Sequence, residues 1–335
     1  MPLHSSQVKW LIGVVFGCTL MCAELSAQRS VWEAKAGLRK LHEKGAGEGP
    51  AWNPSVGLVA SFGSVYLFKN DEAPQIYKKD LGTNGLIWDV QGRLWCCQPS
   101  KQRVIRFEAD GEQTVITDKF QDAPYNQPND ITVDAVGRVY FSDPKYGPYE
   151  NLPQVDAEGR PVEGVYCVDI DGTVTRVIAH EVDRPNGVLI SKDQKYLYVA
   201  GNNNSRRDAD RKLWRFEVMP CCGTVLLDTQ TMIFDWGNSR GPDGLVQDRR
   251  GNLYVAGGLN RNDAEHEDNT LKGGVYVFSP KGKLIDFVAV PTDEVTNCTF
   301  GGTDLKTLFV TAGGSLYSIR TRHAGWLPIT NYGRK

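Results

Sequence analysis

Short runs of alternating apolar and polar residues recur along the chain, divided by turns rich in Gly, Asn and Asp. A side-chain period of two marks half-buried β-strands, and no long 3.6-residue periodicity competes with it. One phrase is written six times. It begins as "GEGPAWNPSVGLVAS" at Gly47, "TNGLIWDVQGRLWCC" at Thr83, "QPNDITVDAVGRVYFS" at Gln127, "RPNGVLISKDQKYLYVA" at Arg184, "GPDGLVQDRRGNLYVA" at Gly241 and "VTNCTFGGTDLKTLFVT" at Val295. Each copy opens on an acid or amide, runs through a short strand, turns, and enters a second strand.

The internal spacing is regular. Asn84 to Gly92, Asn129 to Gly137 and Asp243 to Gly251 each span eight residues, the length of a strand plus a turn that ends in glycine. Most copies are followed by a further hairpin, such as "GVYCVDIDGTVTRVI" or "GGVYVFSPKGKLIDFV". Four strands per copy and six copies predict an all-β fold, a six-bladed β-propeller. Val31 to Lys44 is expected to add a strand to the last blade and close the ring. The connections 146–163, 202–212 and 260–272 are rich in charge, Gly, Asn and Pro and read as loops over one face.

The first strand of each propeller blade lines the central channel, so one phase of the repeat meets itself around one axis. That phase holds Glu48, Asn84, Asn129, Asn186, Asp243 and Asn297, all of them oxygen donors. Carboxylates and amides converging in a narrow channel require a positive partner. Calcium takes 6–8 oxygen ligands and suits such a set. Zinc more often recruits His or Cys, and none of the histidines lies in these phrases. The expected cofactor is therefore Ca2+, with Mg2+, Mn2+ or Zn2+ as substitutes. Glu48, Asn186 and Asp243, each followed or preceded by Gly and Pro, are the foremost metal candidates, with Asn129 beside them. Asn84 and Asn297 read as channel residues that face substrate or bond to neighbours, and Asp130 as a partner of its own turn.

Composition narrows the class further. The 335 residues carry a formal net charge of −2 and no basic run, which argues against a nucleic-acid groove. Residues 1–27 read as a secretory signal: Lys9, an apolar run from Trp10 to Cys22, and a cut after Ala27. That run is too short to span a bilayer, so the mature chain, 28–335, is expected in the periplasm or secreted as one propeller domain. Six cysteines follow the signal, with no CxxC spacing, and read as small buried hydrophobes. A serine-hydrolase elbow, a P-loop and a dinucleotide fingerprint are all missing.

The phrases "EGPAW", "QPNDITVD…GRVYFSDPKYG", "RPNGVLIS", "GPDGLVQD" and "NCTFGGTDLKTLFVT", in that order, resemble the gluconolactonase and regucalcin-like family of six-bladed propellers. The resemblance runs from about Gly47 to Tyr317. It implies a metal-dependent hydrolase that opens sugar lactones, with Glu48, Asn186 and Asp243 as metal ligands. It also implies Asp243 as general acid/base and Asn129 facing substrate or metal. Animal relatives carry an arginine where this chain has Gln127, so a cation expected to grip a sugar hydroxyl is absent there. Tyr146, in the "FSDPKYG" phrase, is expected over the pocket. The competing readings are a non-catalytic, calcium-stabilised binding propeller and a strictosidine-synthase-like or phosphotriesterase activity at the same site.

Overall fold

The computed structural model describes residues 30–69, 72–147, 152–219, 221–262 and 264–331. The expected leader, residues 1–27, lies outside them. Among the described residues no helix is long and apolar enough to cross a membrane.

Six antiparallel sheets stand around a common axis. The first strands of blades one to six are Glu48–Asn53, Leu86–Trp88, Ile131–Val133, Pro185–Ile190, Leu245–Asp248 and Val295–Gly301. Each leads outward through two strands to a fourth, for example Ile131–Val133, Val139–Asp143, Gly164–Val168 and Val174–Ile178 in blade three. Inner and middle strands are apolar on both faces because neighbouring blades cover both, whereas the outermost strands are largely exposed. This is the six-bladed propeller the repeat predicts.

The eight-residue spacing has a local cause. Gly92, Gly137 and Gly251 close the inner hairpins with φ of 75°, 101° and 86°, a backbone region costly for other residues. The Asp that opens each turn folds back over it. Asp134 Oδ1 accepts the backbone N–H groups of Val136, Gly137 and Arg138, and Oδ2 accepts Arg138 Nε at 2.6 Å. Asp89 with Arg93, and Asp248 with Asn252, repeat the device.

Six apolar clusters hold the ring, one at each junction between adjacent blades. The last joins Leu316 and Phe309 of blade six to Ala46, Leu58 and Phe68 of blade one. The ring closes where expected. Arg39–His42 pairs antiparallel with Ser315–Arg320 as the outermost strand of blade six. The preceding residues continue the seam, with Trp32 bridged to Thr321 and Ser30 Oγ donating to Asp286 at 2.7 Å.

The C-terminal segment adds what the repeat does not announce. After blade six the chain crosses under the ring, and Gly325–Trp326 pairs with the far end of the blade-five inner strand at Asp248 and Gln247. Trp326, Leu327 and Ile329 then plug the lower mouth of the central channel, leaving a cavity of about 60 Å³. Gly325 lies flat on the Phe300 ring, where an added Cβ would meet Phe300 Cγ at 2.0 Å.

Phe300 is fully buried in this junction and stacks edge-on against Tyr254 at 5.0 Å. Phe300→Ala should therefore cost about 3–5 kcal/mol of unfolding free energy in urea titration. Ile170→Ala, at a side chain 73 % exposed, should stay within about 0.5 kcal/mol. Equal losses at the two positions would contradict the assignment of the core to the blade junctions.

Candidate functional site at the upper mouth of the channel

The six expected axial residues all stand at or just before the start of an inner strand, at the end of the channel opposite the plug. Glycines bring them together. An added Cβ at Gly187 would meet Asp243 O at 2.0 Å, and one at Gly244 would meet the Asn297 side chain at 1.9 Å. Direct backbone bonds cross between blades at this level, Gly85 N to Asn129 O and Gly244 N to Thr296 O, both at 2.7 Å. Four of the six donors, Glu48, Asn84, Asn186 and Asp243, are followed by glycine, and there the inner strands approach closely because that residue has no side chain.

The six donors are not equivalent. Asn297 spends both ends of its amide inside the hub: Nδ2 donates to Glu48 Oε2 at 3.3 Å, and Oδ1 accepts the Cys298 N–H at 2.8 Å. It supports Glu48, in keeping with the expectation that a residue of this phase either faces substrate or bonds to its neighbours. Asn186 Nδ2 donates to Tyr146 Oη at 2.7 Å, which turns its Oδ1 away from that hydroxyl. Asn129 is buried, with its backbone N–H on Ser142 O. Asn84 Oδ1 and Asp243 Oδ1 are buried and accept no hydrogen bond. Asp130, beneath them, accepts the Val188 N–H at 3.1 Å and, with Asn297, caps the channel cavity.

Three carboxyl groups therefore crowd one water-poor space. Burial first, then the Asp130 charge, pushes the Glu48 carboxyl up to about 7. Burial raises Asp130 to about 6. Asp243 is raised well above the usual carboxylate range, by burial and then by Glu48, although the Arg240 guanidinium opposes this. That compensation is divided, since Arg240 also pairs with Glu294 at 3.0 Å and Glu267 at 3.7 Å.

A hard cation fits these residues. The Glu48 and Asp243 carboxylates, the latter with an unpartnered Oδ1, and the unpartnered amide oxygen of Asn84 are what a divalent ion held by oxygen needs. The site is built from carboxylates and amides together. Among the described residues no group of three or more His, Cys, Asp or Glu side chains could hold a metal.

The walls contain residues that the sequence reading passed over. Gln127, already singled out in the sequence, accepts the Tyr146 N–H with its Oε1 at 2.8 Å and fixes that segment. Arg184 is buried, lies 5.1 Å from the centre of the Tyr146 ring and bonds to Asn204 Oδ1 at 2.7 Å. Both arginines were legible in the phrases "RPNG" and "SRGPDG", but their direction was not. Tyr146 itself roofs the cup, and burial followed by the Asp243 charge raises its hydroxyl well above the usual range.

Fold and site together define a class: a six-bladed propeller with a cup of carboxylates and amides on its axis. The sequence profile described as "SMP-30/Gluconolactonase/LRE-like region" matches residues 108–314, and the chain belongs to this family. It is similar to a gluconolactonase of Zymomonas mobilis, 28 % identical over 283 residues, covering 82 % of this chain and 72 % of that one. Among solved structures it resembles a gluconolactonase of Xanthomonas campestris, with a TM-score of 0.70, 26 % identity, and 87 % and 91 % of the two chains covered. A regucalcin of Agrobacterium tumefaciens shares the fold, with a TM-score of 0.66 and 18 % identity over 87 % of this chain and 96 % of that one.

The raised carboxyls set a pH dependence for the cation-free protein. The folded chain holds the Glu48 and Asp130 protons more tightly than the unfolded chain does. Their contribution is complete below their ordinary values of 4.5 and 3.8 and is lost as pH rises through about 7 and about 6. Thermal melts in chelator should show Tm falling from pH 5 to pH 8, and saturating Ca2+ should abolish the fall. A melting profile flat with pH, or a Ca2+ effect equal at both ends, would contradict a charge-crowded hub.

Proposed function

We propose that the protein is an exported, divalent-cation-dependent hydrolase that opens sugar lactones, with Asp243 as its acid/base. The observation that carries this reading is Asp243 Oδ1, buried and without a hydrogen-bond partner at the base of a polar cup. Family membership and the similarity to gluconolactonases support the reaction class. A pentonolactonase of Haloferax volcanii, 28 % identical over 188 residues, supports sugar lactones as the substrate type. The leader-like composition of residues 1–27 supports export.

Glu48, Asn186 and Asp243 would hold the cation, with Asn129 and the free oxygen of Asn84 within the same cup. Calcium suits this all-oxygen donor set better than zinc. A bound divalent ion supplies Lewis-acid polarisation of the ester carbonyl. The chain supplies the rest. Asp243 takes a proton from the attacking water, and that proton then goes to the ring oxygen as the ester bond breaks, leaving a hydroxy acid. Asn297, bonded to Glu48, keeps that carboxylate aimed at the cup. Tyr146, anchored through Gln127 and Asn186, shields the reacting centre from bulk water and presents a hydroxyl to a sugar. Arg240 keeps Asp243 closer to its ionised form than burial alone allows.

The decisive assay is hydrolysis of D-glucono-1,5-lactone by the calcium-loaded protein, repeated on two variants. Asp243→Asn should lower kcat by about 10²–10⁴-fold while calorimetry still detects calcium. Glu48→Gln should weaken calcium binding first and regain turnover at high calcium. Calcium binding without turnover across a panel of sugar lactones would remove the catalytic reading and favour a binding platform.

A further inference from the structure

The dipeptide Cys-Cys occurs twice, and the fold treats the two copies in opposite ways. Cys96 and Cys97 lie within the strand Leu94–Gln98, where successive side chains point to opposite faces. Cys96 joins the apolar cluster between blades one and two, and Cys97 the cluster between blades two and three. The two thiols cannot act on one ligand. Cys221 and Cys222 instead sit in the turn between Lys212–Val218 and Val225–Asp235 on the outer side of blade four. Both are exposed, and their sulfurs lie 3.6 Å apart on the same side. The expectation of six buried cysteines therefore fails for this pair, because a turn, unlike a strand, places adjacent side chains together.

The turn is held firmly. Gly223 N and Cys222 N both donate to Met219 O, at 2.9 and 3.3 Å, and Met219 N donates to Thr224 O at 2.8 Å. Tyr140 of blade three donates to Gly223 O at 2.9 Å, across the blade junction. Gly223 has a φ of 68°, and an added Cβ there would meet Tyr140 Oη at 2.6 Å and Arg138 at 3.1 Å. The dithiol thus rides on a clamped hairpin end. Bonds from Thr224 favour the Cys222 thiolate and lower its pKa, while the Cys221 thiol donates to that sulfur.

The separation of the sulfurs discriminates between two fates. A disulfide would need them at about 2.05 Å, and Cα atoms one peptide apart, about 3.8 Å, fall below the usual disulfide range. A single thiophilic centre needs much less adjustment. Two bonds of about 2.3 Å at an angle of roughly 95–110° place the sulfurs about 3.4–3.8 Å apart. Thiolates are also the soft ligands such centres select.

We propose that Cys221 and Cys222 form a chelating dithiol site for a thiophilic centre, a trivalent arsenical or soft divalent metal, separate from the axial cup. With phenylarsine oxide the reaction balances without redox change. Two As–S bonds form, the arsenic-bound oxygen leaves as water with both thiol protons, and arsenic stays trivalent.

The test uses the full-length protein, reduced with a phosphine and freed of it. Intact-mass analysis after phenylarsine oxide should show one adduct that survives excess 2-mercaptoethanol and is stripped by a small dithiol. Cys221→Ser and Cys222→Ser should each weaken retention by about 10²–10⁴-fold, the advantage of a second linked ligand. Both variants should keep the parent's melting temperature and circular dichroism, since the side chains are exposed. An adduct washed out by monothiol, an adduct that persists in Cys222→Ser, or no adduct at all would overturn the proposal. Lactone turnover is read separately, so failure of one assignment leaves the other standing.

Discussion

Like charges brought together away from water constrain everything else in this molecule. Glu48, Asp130 and Asp243 come from three different blades yet share one buried space. Their mutual repulsion and lost hydration oppose closure of the ring, and either a bound proton or a positive partner relieves both. Arg240 resolves part of it and is shared with Glu267 and Glu294. The remaining demand is what the proposed divalent cation would meet. Asp243 Oδ1 and Asn84 Oδ1 are left there without hydrogen-bond partners.

The fold supplies the force that holds such a hub together. Each blade junction buries its own apolar cluster, so closure is distributed around the ring. The pairing of Arg39–His42 with blade six ties the two ends of the described chain into one sheet. Below the cup, Trp326, Leu327 and Ile329 line the channel with apolar side chains. One axis thus carries a polar upper mouth and an apolar lower one. Tyr146, Arg184 and Gln127 stand together in the loops beside the cup. The outer rim, where Cys221 and Cys222 are held, is free of that constraint and carries its own chemistry.

Blade number, the strand order within each blade and the six positions that share one level of the inner strands were all legible in the residues themselves. A period of two, a turn ending in glycine and a phrase repeated in phase are linear properties, and a propeller converts phase along the chain into position around an axis. What each donor does was not legible. Asn84 and Asn297 share the same phase, yet Asn84 keeps an oxygen free while Asn297 spends both ends of its amide on Glu48 and Cys298. Arg240 and Arg184 reach the cup through the third dimension, and the plug descends on a strand pairing outside the repeat. The two Cys-Cys pairs are identical as letters and separate only through a strand's alternation and a turn's convergence. Period and phase arise from neighbours in sequence, whereas burial, pairing and free valence arise from neighbours in space, and those exist only once the ring has closed.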